Sequence, residues 1–180
     1  MKVRKRALPT LKNKESALRV EVKRAKDESN KLDEQLQQAM ASYDGMAALW
    51  NEFKPGLVSV ENVELSVKKI AGVKTPVLDE IKFKIENFSI LRYPNWYLDG
   101  VEIIKKMVRI AIEREVFNRK MELLDYARKK TTQKVNLFEK VQIPGYEDAI
   151  LKIKRFLEDE ENLSKSAQKI VKTRQQEATA

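Results

Sequence analysis

Cysteine and histidine are both absent from this 180-residue chain, and glycine and proline are scarce, at five each. Without them there is no Ser-His-Asp triad or Cys-His dyad, no imidazole base near neutral pH, and no His/Cys zinc or haem site. No disulfide forms, which fits an unstapled intracellular protein. No run of 18 or more apolar residues exists, so nothing is expected to insert directly into a membrane. The basic start MKVRKRALP lacks the apolar stretch of a secretory signal. A G-x-x-x-x-G-K-[ST] phosphate loop is also missing, and carboxylates such as Asp79, Glu80, Asp159 and Glu160 read as solvated charges or helix-end groups. No catalytic residue, cofactor or metal is therefore expected. What is present is charge, at 35% of residues, and an abundance of Lys, Glu, Leu and Ala that favours long helices. The composition points to a mechanical or binding protein.

The net charge of +9 is concentrated at the ends. Residues 1–26 hold ten basic groups, among them Lys12, Lys14, Arg19, Lys23 and Arg24, against Glu15 and Glu21 alone. The C-terminal end carries Lys165, Lys169, Lys172 and Arg174 against Glu177. Such ends suit phosphate backbones, anionic lipid or an acidic protein socket, and a solvated helix face is the plain alternative.

Two helical arms are legible by counting. Leu11, Leu18, Ala25, Leu32, Ala39, Met46 and Phe53 recur every seven residues, with Glu15, Val22, Ser29, Leu36, Tyr43 and Trp50 four residues after the first six. This is the a/d seam of a coiled coil. Pro9 is tolerated at a helix start but is expected to kink a helix already running from residue 1. The second arm is expected to start near Asp99, with Glu102 completing a capping-box-like pair. Its stripe runs Ile103, Met107, Ile110, Arg114, Phe117, Met121, Leu124, Arg128, Thr131, Val135, Phe138 and Gln142, then Tyr146, Ile150, Ile153 and Leu157. The consecutive four-residue steps through Phe138, Gln142 and Tyr146 form a stutter, which predicts a kink or a straightened stretch.

Between the arms the period drops to two. Val58 and Val60, then Val63, Leu65 and Val67, alternate with polar residues, as do Ile81, Phe83 and Ile85. With turn chemistry in Ala71-Gly72-Val73-Lys74-Thr75-Pro76, this reads as a β-hairpin, followed by a loop at Arg92-Tyr93-Pro94-Asn95-Trp96. The predicted fold is mainly α: a long antiparallel two-helix coiled coil with a small β-hairpin-containing head at the hairpin end. The expected division is an N-terminal coiled-coil arm at 1–54, a head at 55–98 and a C-terminal arm at 99–180. Setting Phe53 level with residue 100 predicts layers of Trp50 with Ile103, Leu36 with Phe117, Ser29 with Leu124 and Leu18 with Val135. Arg114 and Arg128 then face Ala39 and Ala25, with their stems covering them. The second helix outruns the first in this register. Either another protein covers Ile150, Ile153 and Leu157, or the N-terminal arm is shortened.

The stretch Lys134-Val135-Asn136-Leu137-Phe138-Glu139, followed by Ile143-Pro144, Ile150, Ile153, Leu157 and Glu158-Asp159-Glu160-Glu161, resembles the D subunit of V-type (archaeal/vacuolar-type) ATPases and ATP synthases. Glu61-Asn62-Val63 with Val73-Lys74-Thr75-Pro76 is similar to that family's head segment, and Leu11-Lys12-Asn13-Lys14-Glu15-Ser16-Ala17-Leu18 to its basic first-helix motif. The resemblance implies a non-catalytic central-stalk rotor, cytoplasmic and peripheral to a membrane-bound complex. It transmits rotation between the A/B catalytic hexamer and the ion-translocating membrane ring. Implied partners are the A/B hexamer, the F subunit and the membrane-ring adaptor subunit, with no nucleic acid. The basic residues Lys12, Lys14, Arg19, Lys23, Arg24, Lys165, Lys169 and Lys172, with Ile150, Ile153 and Leu157, are then candidates for the hexamer contact. Trp96 and Tyr97 are candidates for contacts at the head. The competing readings are a prefoldin-like coiled-coil chaperone and a basic nucleic-acid-binding coiled coil.

Overall fold

The computed structural model describes residues 2–43, 45, 50–87, 93–94 and 96–178. Helix α1 spans Lys2–Tyr43, strands β1 and β2 span Val58–Ile70 and Val73–Ile85, and helix α2 spans Trp96–Asn136. A π-helical segment at Leu137–Gln142 leads directly into helix α3, Ile143–Ala178. The fold is mainly helical, with one antiparallel hairpin, as expected. Met46, Arg92 and Asn95 lie outside the described residues. The chain divides into two compact units. One joins the stretch up to Lys12 to the stretch from Thr132 onward, and the other is Asn13–Thr131.

The seam counted from the sequence is the covered face. In α1 the buried residues are Leu18, Ala25 and Ser29, all seam positions. Leu124, Thr131 and Val135 are likewise buried, and every other stripe position from Ile103 to Gln142 is at least partly covered. Several boundaries differ from expectation. The first helix already runs from Lys2 and contains Pro9, and it ends at Tyr43 rather than near residue 54. The turns before Pro9 are tied to the other end of the chain by the contacts of Arg4 with Tyr146 and Lys5 with Glu147. The second helix starts at Trp96, so Asp99 lies in its first turn instead of capping it. There its charge still faces the positive end of the helix dipole, while Tyr97 N–H bonds the Pro94 carbonyl.

In the Asn13–Thr131 unit the register departs from the predicted layers. The Ser29 hydroxyl donates to Asn118 Oδ1 at 2.7 Å, and Arg114 reaches Asp33 at 2.7 Å. Ser29 is therefore level with a residue about one turn or more from Leu124. The reason is local. The predicted layers assume an unbroken helix to residue 54, whereas α1 ends at Tyr43 and residues 51–53 form a turn. The anchor at the chain reversal nonetheless holds, because a side-chain carbon at Gly100 would lie 3.1 Å from the Phe53 ring. Arg114 does more than cover an alanine, since its guanidinium crosses to a carboxylate on the other helix. Arg128 turns back to Asp125 of its own helix.

The hairpin turn is the two-residue Ala71-Gly72, both at positive φ (48° and 80°), so β2 already begins at Val73. Two positive-φ residues are the signature of the turn whose twist matches the strands. Pro76 sits within β2, opposite Val67, where a two-stranded sheet leaves an edge for its missing N–H. The register shifts between Val60 and Asn62, so Glu61 is a bulge, which accounts for the three-residue step from Val60 to Val63. The hairpin lies back along the helices of its own unit. Thr75 and Ile81 of β2 are buried, whereas Leu65 and Val67 of β1 are 51% and 67% exposed. At its root Leu57, Tyr97 and Val101 form a small core under Phe53, Tyr93 and Trp96.

Candidate functional site

Helix α3 combines full exposure with an apolar stripe. Every residue from Pro144 to Ala178 is exposed. Yet Ile150, Ile153 and Leu157, at 50%, 60% and 56% exposure, continue the apolar spacing of the seam. Phe156, Leu163 and Ile170 lie beside that stripe and are equally bare. A helix with a wide apolar face gains stability by burying it, and no other segment of this chain covers it among the described residues.

The π segment orients this helix. Ile143 N–H bonds to the Phe138 carbonyl, five residues back, where an α-helix bonds four back. The wider turn absorbs the stutter, so that Phe138 and Tyr146 face the same partner. The Arg4 guanidinium lies 5.8 Å from the Phe138 ring centre and 4.9 Å from that of Tyr146, and it also donates to the Tyr146 hydroxyl. Lys5 pairs with Glu147 and Lys12 with Glu139, the latter at 2.7 Å. These contacts hold the start of α1 against the π segment and the first turn of α3.

The remaining candidates are scattered. Arg19 pairs with Glu15, its i−4 neighbour, at 3.2 Å, and Lys165 with Glu161 at 2.6 Å. Lys14, Lys23, Arg24, Lys169 and Lys172 are exposed and make no ion pair among the described residues. Trp96 is half-buried and meets Trp50 edge to face at 5.8 Å, which places Trp50 at the start of the second helix, as the antiparallel plan requires. Tyr97 is a core residue at 3% exposure, its hydroxyl donating to the Glu52 carbonyl. Its ring is thus turned inward, where stacking with Tyr93 and Phe53 holds it. At the hairpin root Lys54 and Glu86 pair at 2.9 Å, which raises the lysine pKa and lowers the glutamate pKa. Among the described residues no helix is long and apolar enough to cross a membrane, and no three acidic residues cluster as metal ligands do. Counting terminal basic runs misses Lys68, Lys69 and Lys74. Their position on both sides of Gly72 was the available signal.

The family model for the D subunit of ATP synthase matches residues 1–173. The chain belongs to the ATP synthase D-subunit family. The V-type ATP synthase D subunit of Borreliella burgdorferi is 30% identical over 175 residues, covering 96% of this chain and 87% of the relative. That of Chlamydia felis is 33% identical over 162 residues, covering 84% and 76%. As a member of the D-subunit family, the chain is one component of a V/A-type ATPase and has partners within that complex. The exposed face of α3 thus belongs to a D-subunit-family chain that works in an assembly.

Proposed function

We propose that this protein is the non-catalytic central-stalk rotor of its ATPase. It transmits rotation between the ATP-hydrolysing A/B hexamer and the ion-translocating membrane ring, in a cytoplasmic position peripheral to the membrane. The observation that carries the reading is the run from Pro144 to Ala178, exposed at every residue yet striped with apolar side chains. An exposed apolar face of that extent marks a surface that a partner buries. The A/B hexamer is the partner of this face, with Ile150, Ile153 and Leu157 as anchors. Lys165, Lys169 and Lys172, with Lys12, Lys14, Arg19, Lys23 and Arg24 of α1, meet its inner wall. The F subunit and the membrane-ring adaptor take the end that holds the hairpin root, where Trp96 is the accessible aromatic. Helical backbone continuous from Trp96 to Ala178 suits torque transmission, which needs stiffness and no reactive group.

Co-expression with the A, B and F subunits tests this. The full chain is expected to assemble, and a bead fixed to it should rotate on ATP addition. A chain ending after Asp148 keeps the Arg4 and Lys5 contacts and should fold but fail to support rotation. Full rotation with the truncated chain overturns the proposal.

A further inference from the structure

Within the Asn13–Thr131 unit the hairpin and the two helices enclose an open cleft of about 530 Å³. Its walls are cationic: Arg24 from α1, Lys68 and Lys69 from β1, and Lys120 from α2. Two further cations stand at the tip. Lys74 lies directly across the strands from Lys69, and like charges so placed repel. A side-chain carbon at Gly72 would lie 3.5 Å from the Lys14 ammonium nitrogen. None of these six makes an ion pair among the described residues. The same hairpin neutralises cations nearer its root, where Lys54 pairs with Glu86 and Lys82 with Glu64. Folding therefore brings like charges together from α1, both strands and α2 without an ion pair, and Lys120 has a contact of another kind, its ammonium lying 5.2 Å from the centre of the Phe117 ring.

We propose that this cleft is a docking site for an acidic segment of a partner protein that inserts an apolar side chain. The cations supply the attraction. The floor of Ile70, Val77 and Phe117 supplies the anchor pocket. That floor favours a peptide over a nucleic acid, because a phosphate backbone offers no aliphatic side chain to fill it. The site is separate from the α3 surface and does not depend on the rotor reading.

The test uses the full chain and a fluorescein-labelled 14-residue peptide of Glu and Asp with a central Leu-Phe pair. Binding is read by fluorescence anisotropy at low salt. Lys69→Glu with Lys120→Glu is expected to weaken binding at least tenfold, and Leu-Phe replaced by Ser-Ser at least fivefold. Reversing two lysines outside the cleft, Lys84→Glu with Lys130→Glu, should change it less than twofold. The milder Lys69→Gln with Lys120→Gln pair, expected to weaken binding at least threefold, guards against misfolding of the reversed variant. Lys74→Glu, which turns a repulsive cross-strand pair into an attractive one, should slow amide exchange along the hairpin. Equal losses from the two reversals overturn the proposal, as does tighter binding of a 14-nucleotide RNA at the same lysines. Unchanged or faster exchange in Lys74→Glu overturns the reading of the tip as strained by like charge.

Discussion

Ser29 carries a hydroxyl into a seam of mostly apolar positions, and its burial is tolerable because Asn118 accepts its hydrogen bond at 2.7 Å. A buried hydrogen bond contributes about 1 kcal/mol net, but an orphaned buried donor costs about 1–3 kcal/mol. The adjacent Arg114–Asp33 pair is 34% and 46% exposed, which limits it to about 1 kcal/mol or less. Together these two pairs do more for alignment than for stability, because any axial slip orphans a hydroxyl and breaks an ion pair at once. Asn118→Leu is therefore expected to destabilise the chain by about 1–3 kcal/mol in urea unfolding. Adding Ser29→Ala should restore most of that loss, since the orphaned group is then gone. A single variant as stable as the parent would show that the pair does not hold the register.

At the scale of elements, what the sequence reveals depends on how local the cause is. The seam from Leu11 to Gln142 is legible because a 3.5-residue period is written in neighbouring turns. The bulge at Glu61 shows as a three-residue step, and the stutter marks where the π segment lies. The contacts that tie down the start of α1 are not legible, since Tyr146 and Glu147 lie 142 residues beyond Arg4 and Lys5. Neither is the hairpin's path back along the helices. Alternation identifies the strands, but it does not say that β2 rather than β1 is covered. The π segment itself makes a sharp prediction. Deleting Val141, which is 61% exposed, should restore plain α-helix and leave everything after it facing as before, because the wide turn takes up one extra residue. Carbodiimide cross-linking with mass spectrometry reads the result. The parent is expected to give both Lys5–Glu147 and Lys12–Glu139 links. The deletion should keep both, since Glu147 beyond the cut and Glu139 before it still face the start of α1. Loss of the Lys5–Glu147 link alone would mean that the wide turn does not take up the extra residue.

At the scale of the whole molecule, the missing histidine fixes how stability responds to pH. No side chain has an ordinary pKa between the carboxylate range and the tyrosine and lysine range in a chain without histidine or cysteine. The resolved shifts lie at the two edges. Hydrogen bonds from Lys54 lower the pKa of Glu86 below its ordinary 4.5, and those from Lys129 and Arg128 lower that of Asp125 below 3.8. A carboxylate lowered on folding contributes stability that is full above its unfolded pKa and lost as pH falls through the folded one. Hydrogen bonds that Lys54 and Lys82 donate to Glu86 and Glu64 raise the lysine pKa values above 10.5. Their contribution is full below 10.5 and is lost as pH rises through the folded value. Net charge makes the two edges unequal. Protonating the 27 acidic groups carries the chain from +9 toward +36, so self-repulsion grows as the ion pairs fail. Deprotonating lysines first brings the charge down through zero, which relieves repulsion while the raised pairs still hold. The urea midpoint should therefore be flat from about pH 5.5 to about 9, fall steeply below about 4.5, and decline later and less abruptly above about 10.5. A midpoint series across this range checks it. A step near pH 6.5, or an alkaline limb steeper than the acid one, would contradict the charge balance argued from these pairs.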